Sequence, residues 1–535
     1  MKKYKIQSLV TSIALSFLLL MACTDLDTPV VSELTPDIFP ITEEDFVVIE
    51  GPIFTNLSQY YMQGIWFCQE CTGDGMVLTA NGGNWYDAGR YYNHHHHTWT
   101  ADQRFIREAW QCCYSGISKC NSLLPLFEAQ QESRFQKMGI AEIRTMRAFY
   151  YFLAMDMFGD VPLTTTFGKD AEVGGRVARA TVFEFIESEL KAAIPDLSGV
   201  TGKTTYGRPT QWMAYALLAK LYLNAPIYAG RSDKYNDAVA ACDAVITEAQ
   251  TNGTIALDDD YLKEFYPDNG PQFKDILFPA IYDGNNIKLN YPARYWLHKL
   301  LRTKYGLPFT PSGCIRTWPE FYDKFTIDNT DVRQQIWLTG KQYLSDGTPI
   351  MFTTTNKGYD ARYSGSDPNG VVTYQLEFTK TVEFRNLDKF DTGDDYLGWS
   401  QGYRCNKFYP DATSPSRDQS NDIPVLRYAD VLLMKAEAIM RGASPTMGQT
   451  ALSLVNMVRA RAKASQFTSI DLDGLLDERA RELCFEGWRR NDLIRFGKWE
   501  DKWGVKTDND IRHRVLPIPK TEIDANPLLT QNPGY

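Results

Sequence analysis

AEIRTMRAFYYFLAMDMFGDVPL, residues 141–163, reads as a helix with two apolar faces and a marked stop. Ile143, Met146, Tyr150, Leu153 and Met157 recur at spacings of three and four and share one stripe, while Tyr151, Ala154 and Phe158 line a second. A helix apolar on two sides sits between two neighbours. Gly159 suits a left-handed cap, Asp160 can turn the chain and Pro162 cannot continue a helix. Arg144 and Arg147 fall three apart on the second stripe, so burial of that stripe obliges both guanidinium groups to find partners.

The same periodicity returns on either side. Residues 102–127 carry Phe105, Ile106, Trp110, Tyr114, Ile117 and Leu124 at helical spacing, and further helices are expected at 182–197, 209–228 and 233–247. Within the third of these four, Ala alternates with large apolar residues (AYALLAKLYL), which allows close helix approach. Successive amphipathic helices joined by short connections read as an α-solenoid of paired helices.

After residue 250 the texture changes. Gly, Pro, Asn and Asp become frequent, and Tyr291, Tyr295, Trp296, Trp318, Trp337, Tyr396, Trp399 and Tyr403 are scattered through loop-like sequence. A region this long is a loop-rich subdomain packed on the helices, and function concentrates in such places. Helical periodicity resumes at 424–441, 449–462 and 472–496. Prolines 517, 519 and 527 forbid a helix in the extended tail LPIPKTEIDANPLLTQNPGY.

The chain opens with a targeting segment. Lys2, Lys3 and Lys5 precede an apolar run from Leu9 to Leu20, and Leu20-Met21-Ala22-Cys23 follows, similar to a bacterial lipobox except for Met21. That pattern implies cleavage before Cys23 and acylation of its thiol. The expected organisation is therefore a signal peptide (1–22), an acylated Cys23 with an acidic, Pro-bearing tether (23–40), a helical part with an aromatic loop (41–250), an irregular insertion (251–420) and C-terminal helices that complete the superhelix (421–535).

Composition narrows the function classes. With 535 residues, of which 44% are hydrophobic, the chain can bury a sizeable core. A formal charge of −10 and the absence of a long Lys/Arg run argue against a nucleic-acid surface. Aromatic content of 13%, including 12 Trp and 30 Tyr, suits stacking on sugar rings. Cys68-x-x-Cys71 lacks a second such pair and Cys112, Cys113 and Cys120 lie on a helix, so a zinc ribbon is not expected and most thiols should be free and buried.

Residues 72–100 form a Gly-rich aromatic loop containing Asn81-Gly82-Gly83-Asn84-Trp85-Tyr86-Asp87, then Tyr91, Tyr92, His94 to His97 and Trp99. Rigid rings on a loop make a ligand platform, or else pin the loop to the body. In an extended segment the four His would alternate faces, so no more than two converge and no metal site is expected.

Four blocks together carry a family resemblance: RTMRAFYYF…FGDVPL (144–163), GRPTQWMAYALLAKLYL (207–223), IPVLRYADVLLMKAEAIMR (423–441), and ERARELCFEGWRRNDLIRFGKW with the terminal LPIP…NP…QNPGY. In order and spacing they resemble SusD/RagB proteins, the nutrient-capturing surface lipoproteins of Bacteroides-type bacteria. The resemblance implies a mostly α fold, a tetratricopeptide-like superhelix of about four helix pairs supporting an irregular ligand-binding face. It also implies a SusC-like TonB-dependent β-barrel partner in the outer membrane, with the lipoprotein as its lid, glycan as usual cargo and no cofactor. GGNWYDAGRYYNHHHHTWT is similar to a GG-[DN]-WYD…HTW segment of many members, which makes His97 and Trp99 framework positions.

The resemblance carries no catalytic residues, and ligand contacts vary within the family, so site residues are read from local chemistry. Trp85, Tyr86, Trp296 and Trp318 are the candidate stacking rings, with Asn81, Asp87 and Arg294 as hydrogen-bonding neighbours. A glycan-binding lipoprotein is the first expectation, and a peptide or other nutrient binder of the same fold is the second. A helical glycoside hydrolase is the third; it would need two carboxylates about 5–10 Å apart, drawn from Glu70, Asp74, Asp87 and Asp395. Glu478, Glu482, Glu486 and Arg489, beside Arg479 and Arg490, are expected to form an ion-pair network between helices. Arg144 and Arg147 are expected to bond Glu437 or Glu482 and tie the two ends of the chain together.

Overall fold

In the computed structural model, which describes residues 42–168, 174–354 and 372–535, nine helices longer than ten residues occur among the described residues. In chain order they are α1 (Glu43–Tyr60), α2 (Arg104–Glu128), α3 (Arg134–Phe158), α4 (Arg179–Ala193), α5 (Gln211–Leu223), α6 (Tyr235–Asn252), α7 (Tyr428–Met440), α8 (Ala451–Arg461) and α9 (Leu472–Glu482). The signal segment, Cys23 and the tether lie outside the described residues. The chain divides into two units, 1–46 and 47–535. Of the first, residues 42–46 are described: the Thr42 amide donates to Asp45 (2.9 Å) and the Asp45 amide to Thr42 Oγ1 (3.3 Å), a reciprocal cap at the start of α1.

In the second unit each helix from α2 to α9 packs on its successor, and α5 and α9 also touch α7. This is a mostly helical superhelix in which α7, distant in sequence, closes on α5 and α6. The opening stretch forms the second half of α3, and every side chain from Thr145 to Phe158 is buried. Both apolar stripes therefore find neighbours, α2 on one side and α4 on the other. Contact with α2 is close enough to need glycine: a Cβ at Gly116 would fall 2.4 Å from the Tyr150 ring. Gly159, at φ 74°, ends α3, and Asp160 turns back to accept the Arg179 amide at 2.8 Å.

The two arginines of the stretch do not reach the C-terminal helices. Arg147 donates to Glu189 of α4 (2.6 and 2.8 Å) and to Asn121 of α2 (2.9 Å), while partly exposed Arg144 lies 4.0 Å from Glu128. Arg147 sits between the helices flanking α3, so its carboxylate comes from the adjacent turn of the stack. Glu437 is taken by Arg441 and Arg495, and Glu482 by Arg333, Arg427 and Arg461. The residue of α3 that joins the ends is Asp156, which accepts from Gln69 (2.9 Å), Tyr228 (2.8 Å), Asn491 (2.7 Å) and Arg490 (3.2 Å).

Three further expectations are corrected. Residues 472–496 are two helices, not one: after α9 the chain breaks at Phe485 and Gly487, both at positive φ, and a second helix runs Arg489–Arg495. Prolines do not keep the tail wholly extended, because Lys520–Ala525 fits a short helix between Pro519 and Pro527. The His tract is helical (Arg90–His96), not extended; His94, His95 and His97 are buried, and His97 stacks on Trp499 at 4.3 Å.

The ion-pair network exists and is buried. Arg427 meets Asp275 (2.6 Å), Glu482 (2.8 Å) and Glu486 (2.8 Å), and Arg333 meets Asp331 (2.7 Å), Glu478 (2.8 Å) and Glu482 (3.1 Å). Arg479 instead pairs with Asp430 and Asp492, and Arg489 with Asp74. The nine described cysteines are free and buried. Among the described residues no helix is long and apolar enough to cross a membrane.

The irregular region is stitched to the helices by short antiparallel pairs. Ile276–Ala280 pairs with Ile423–Arg427 at the entrance to α7, and Met76–Leu78, leading into the aromatic loop, pairs with Ile315–Thr317. The second pairing brings the 79–97 loop against the insertion.

Candidate functional site

Gly82 and Gly83 fix the aromatic loop. Both lie at positive φ, and their amides each donate to the Asp391 carboxylate at 2.8 Å. A Cβ on Gly82 would stand 2.3 Å from Asp394 Cβ, so the 391–395 turn can approach only a glycine here. The turn continues through Trp85, Asp87 and Ala88, non-glycine residues held at positive φ (67°, 45° and 56°). Such conformations persist where surrounding contacts enforce them, and they are common at binding sites. Here they raise the Trp85 ring out of the loop: it is half-buried, edge-on to Tyr295 (5.6 Å, 89°) and tilted against Tyr91 (6.2 Å).

Across from this loop, Pro292 starts a short helix, Pro292–Trp296, that sends alternate residues in different directions. Ala293 and Trp296 enter the core, whereas Tyr291, Arg294 and Tyr295 face the loop. The Arg294 guanidinium lies 5.1 Å from the Trp85 ring centre and 5.8 Å from those of Tyr291 and Tyr295. The strap before this helix is fixed by Gln63, which donates to Leu289 O (2.9 Å), and by Asp418, which accepts the Leu289 amide (2.8 Å). The result is a concave pocket of about 490 Å³ lined by Trp85, Asp87, Tyr91, Arg104, Tyr291, Arg294, Tyr295 and Arg417, with Gln63, Asn84, Phe105 and Leu289 completing it.

Three of the seven residues expected from sequence, Trp85, Asp87 and Arg294, line this pocket together. Tyr86 is half-buried on the same turn but is not part of the lining. Trp296 (3% exposed) packs on Phe485 at 4.7 Å, and Trp318 (4% exposed) packs on His95 at 4.9 Å, so both are core residues and leave the ligand-contact set. Asn81 is buried too; its Oδ1 accepts from Arg316 (2.9 Å) and Thr392 (3.1 Å) and anchors the loop from beneath.

Of the four carboxylates considered for hydrolysis, only Asp87 lines the pocket. Glu70 accepts the Gly487 and Trp488 amides, Asp74 holds Arg489, and Asp395 caps the 396–399 turn and pairs with Arg385. Burial pushes the Glu70 carboxyl up to about 7, although the Gly487 and Arg489 amides and the nearby cations of Arg489 and Lys407 lower it. Its depth and partners make it part of the scaffold. No cluster of three or more metal-ligating side chains occurs among the described residues.

Tyr291 and Tyr295 were visible in the sequence as loop aromatics, and their spacing around Arg294 marks one helical turn. Arg417 carried no such signal, because it is a lone cation in the Pro-Ser-Arg-Asp-Gln stretch that reaches the pocket only through the fold.

Comparison with known proteins places the chain in a family. Residues 231–510 match the SusD family, and residues 49–223 match a family described as starch-binding associating with outer membrane. The starch-binding protein SusD of Bacteroides thetaiotaomicron is 28% identical over 419 residues, covering 74% of this chain and 72% of that protein. A SusD homolog from the same species superposes with a TM-score of 0.70 at 20% identity over 94% of this chain and 99% of the other. Surface glycan-binding protein A of that species, solved with laminarihexaose, gives 0.69 at 19% identity, covering 92% and 100%. With the family model spanning more than half of its residues and the fold matching over 94% of its length, the chain belongs to the SusD family.

Proposed function

We propose that this protein is a non-catalytic glycan-binding lipoprotein, anchored through Cys23 at the outer face of the outer membrane. In this reading it captures oligosaccharide in the Trp85 pocket and passes it to a SusC-like TonB-dependent transporter. The observation that carries the reading is the Trp85 ring, lifted from the loop by a turn that holds Trp85, Asp87 and Ala88 at positive φ and braced by Tyr91 and Tyr295 beside several polar groups. An indole face meets the C–H face of a sugar ring, while arginine, Asn84, Asp87 and Gln63 offer hydrogen bonds to its hydroxyls. Starch and laminarihexaose, named for two similar proteins, support a carbohydrate cargo. A binding role is also favoured over hydrolysis because a single carboxylate lines the pocket, and hydrolysis needs a pair.

Titration of the intact protein with a panel of defined oligosaccharides and peptides tests this. The expected result is saturable saccharide binding that Trp85→Ala abolishes without shifting the thermal midpoint. Binding of peptides alone, or glycan affinity unchanged by Trp85→Ala, overturns it.

A further inference from the structure

The pocket has more positive charge than its own architecture uses. Arg104 is paired with Glu108 at 2.7 Å, and Asp87 is occupied by Arg90 (3.8 Å) and the Tyr91 hydroxyl (3.2 Å). Asp418, beneath the strap, spends its two oxygens on the Leu289 amide (2.8 Å) and the Ser416 hydroxyl (2.7 Å). Two lining cations remain, Arg294 and Arg417, and among the described residues neither has a carboxylate within ion-pair distance. Both guanidinium groups lie against the Tyr291 ring, at 5.8 and 5.0 Å from its centre, so the two cations share one aromatic neighbour. Arg417 is exposed and Arg294 half-exposed, so apart from a hydrogen bond of Arg417 with the Tyr291 hydroxyl their N–H donors are open to a ligand. This surplus stands against a chain whose formal charge is −10.

Neutral donors and acceptors such as Asn84 and Gln63 suffice for the hydroxyls of an uncharged sugar, so two lining cations without carboxylate partners exceed what it requires. Planar guanidinium forks match carboxylate and sulfate oxygens, and such charge-assisted bonds are roughly twice as strong as neutral ones. Resting on the glycan-binding reading above, we propose that the pocket selects an anionic saccharide, with Trp85 under a sugar ring and Arg294 and Arg417 clasping a carboxylate or sulfate on it. Tyr291 supports both cations through its ring face.

The test titrates the intact protein with four probes: hexagalacturonate, its fully methyl-esterified counterpart, a carrageenan oligosaccharide carrying only sulfate, and laminarihexaose. Arg294→Gln, Arg417→Gln and Trp85→Ala are run alongside, with thermal unfolding as the folding control. The expected result is that a charged probe binds at least about tenfold more tightly than the neutral ones, and that each arginine substitution removes about tenfold of that preference. Raising salt from about 0.05 to 0.5 M should weaken only the charged probe. Preference for the uronate or for the carrageenan tells carboxylate from sulfate. If neutral oligosaccharides bind equally well or better and the arginine variants leave them unaffected, the anionic proposal falls while the glycan reading stands. If no probe binds, or Trp85→Ala binds every probe as before, the glycan reading falls and this proposal with it.

Discussion

Asp156 and Arg490, 334 residues apart, meet at 3.2 Å in the buried centre of the superhelix. Around them Gln69, Tyr228 and Asn491 also turn their donors to the same carboxylate. Burial would raise the Asp156 pKa, but the Arg490 charge and these hydrogen bonds outweigh it and hold the group ionised. One side chain thus joins α3 to the short helix Trp66–Glu70 before the site, to the segment after α5 and to the helix Arg489–Arg495. Asp156→Ala leaves a buried guanidinium without its carboxylate and removes an acceptor from Gln69, Tyr228 and Asn491, and is expected to cost about 3–5 kcal/mol. Chemical denaturation of the folded protein checks this, and a loss below about 1 kcal/mol would contradict the assignment.

The sequence disclosed this helix and its burial because periodicity is local, whereas ion-pair partners are not. Arg147 could be seen to need a carboxylate, but Glu189 became its neighbour only once α4 had folded back. The 472–496 stretch read as one helix because Glu478, Glu482 and Glu486 keep helical spacing through a break that depends on Phe485 and Gly487 at positive φ. At the site, Trp85 was legible from its glycine-rich setting. Trp296 and Trp318 were not separable from it, since a tryptophan in a loop has the same composition whether it faces the core or solvent. Arg417 joins the pocket through tertiary contact alone.

Glu70 gives the protein a testable pH signature. Burial raises its folded pKa to about 7 from an unfolded value near 4.5, so the folded state binds the extra proton between these limits. The sign follows: stability through Glu70 is fullest at low pH and is lost as pH rises through about 7. His94 and His97, held near 4 by burial, act in the opposite sense and lose stability as pH falls below 6.5. The whole-protein profile therefore mixes both, and the variant difference isolates one. Glu70→Gln keeps an acceptor for the Gly487 amide and should gain stability relative to the parent between pH 5.5 and 8. A difference in thermal midpoint that is flat across this range would rule the mechanism out.

Asp422 offers an independent check of the same sign. It accepts the Tyr282 amide and the Tyr206 hydroxyl, both at 2.8 Å, and burial lifts it to about 7 against those hydrogen bonds. Asp422→Asn should also flatten the loss above pH 6, and because Asp422 and Glu70 share no hydrogen-bond partner the two effects should add. Thermal unfolding of the double variant at pH 5.5 and 8 measures this, with strong non-additivity as the contrary result.

Gly82→Ala probes the loop without touching the pocket lining. The added methyl would stand 2.3 Å from Asp394 Cβ at a φ of 63°, so the loop and the 391–395 turn have to separate and the Gly82 and Gly83 amides lose Asp391. Trp85, three residues on, then loses its fixed orientation. Ligand affinity is expected to fall by about tenfold or more, the loss of pre-organisation rather than of a contact. Faster proteolytic cleavage near residue 82, with the superhelix still folded by circular dichroism, should accompany it. Full affinity in Gly82→Ala would mean the glycine pair does not position Trp85.

Glu482 tests whether the buried ion network stabilises the fold or merely fills it. Burial alone would raise its pKa, yet Arg461, Arg427 and Arg333 together hold it far below the ordinary carboxylate range. Neighbouring Glu478 is held at about 2 by Arg333, Arg481 and Arg459, again against burial. For groups depressed in this way the stabilisation is present above the unfolded pKa near 4.5 and disappears as pH falls through the folded value. Glu482→Gln removes one charge from among three buried guanidinium groups and is expected to cost about 3–5 kcal/mol at pH 7. The cost should shrink toward pH 3, where the unfolded parent has already taken up its proton while the folded one has not. Denaturation midpoints of parent and variant at pH 7 and pH 3 decide the matter: a penalty that stays constant between them would show that shape, rather than charge, is what Glu482 contributes.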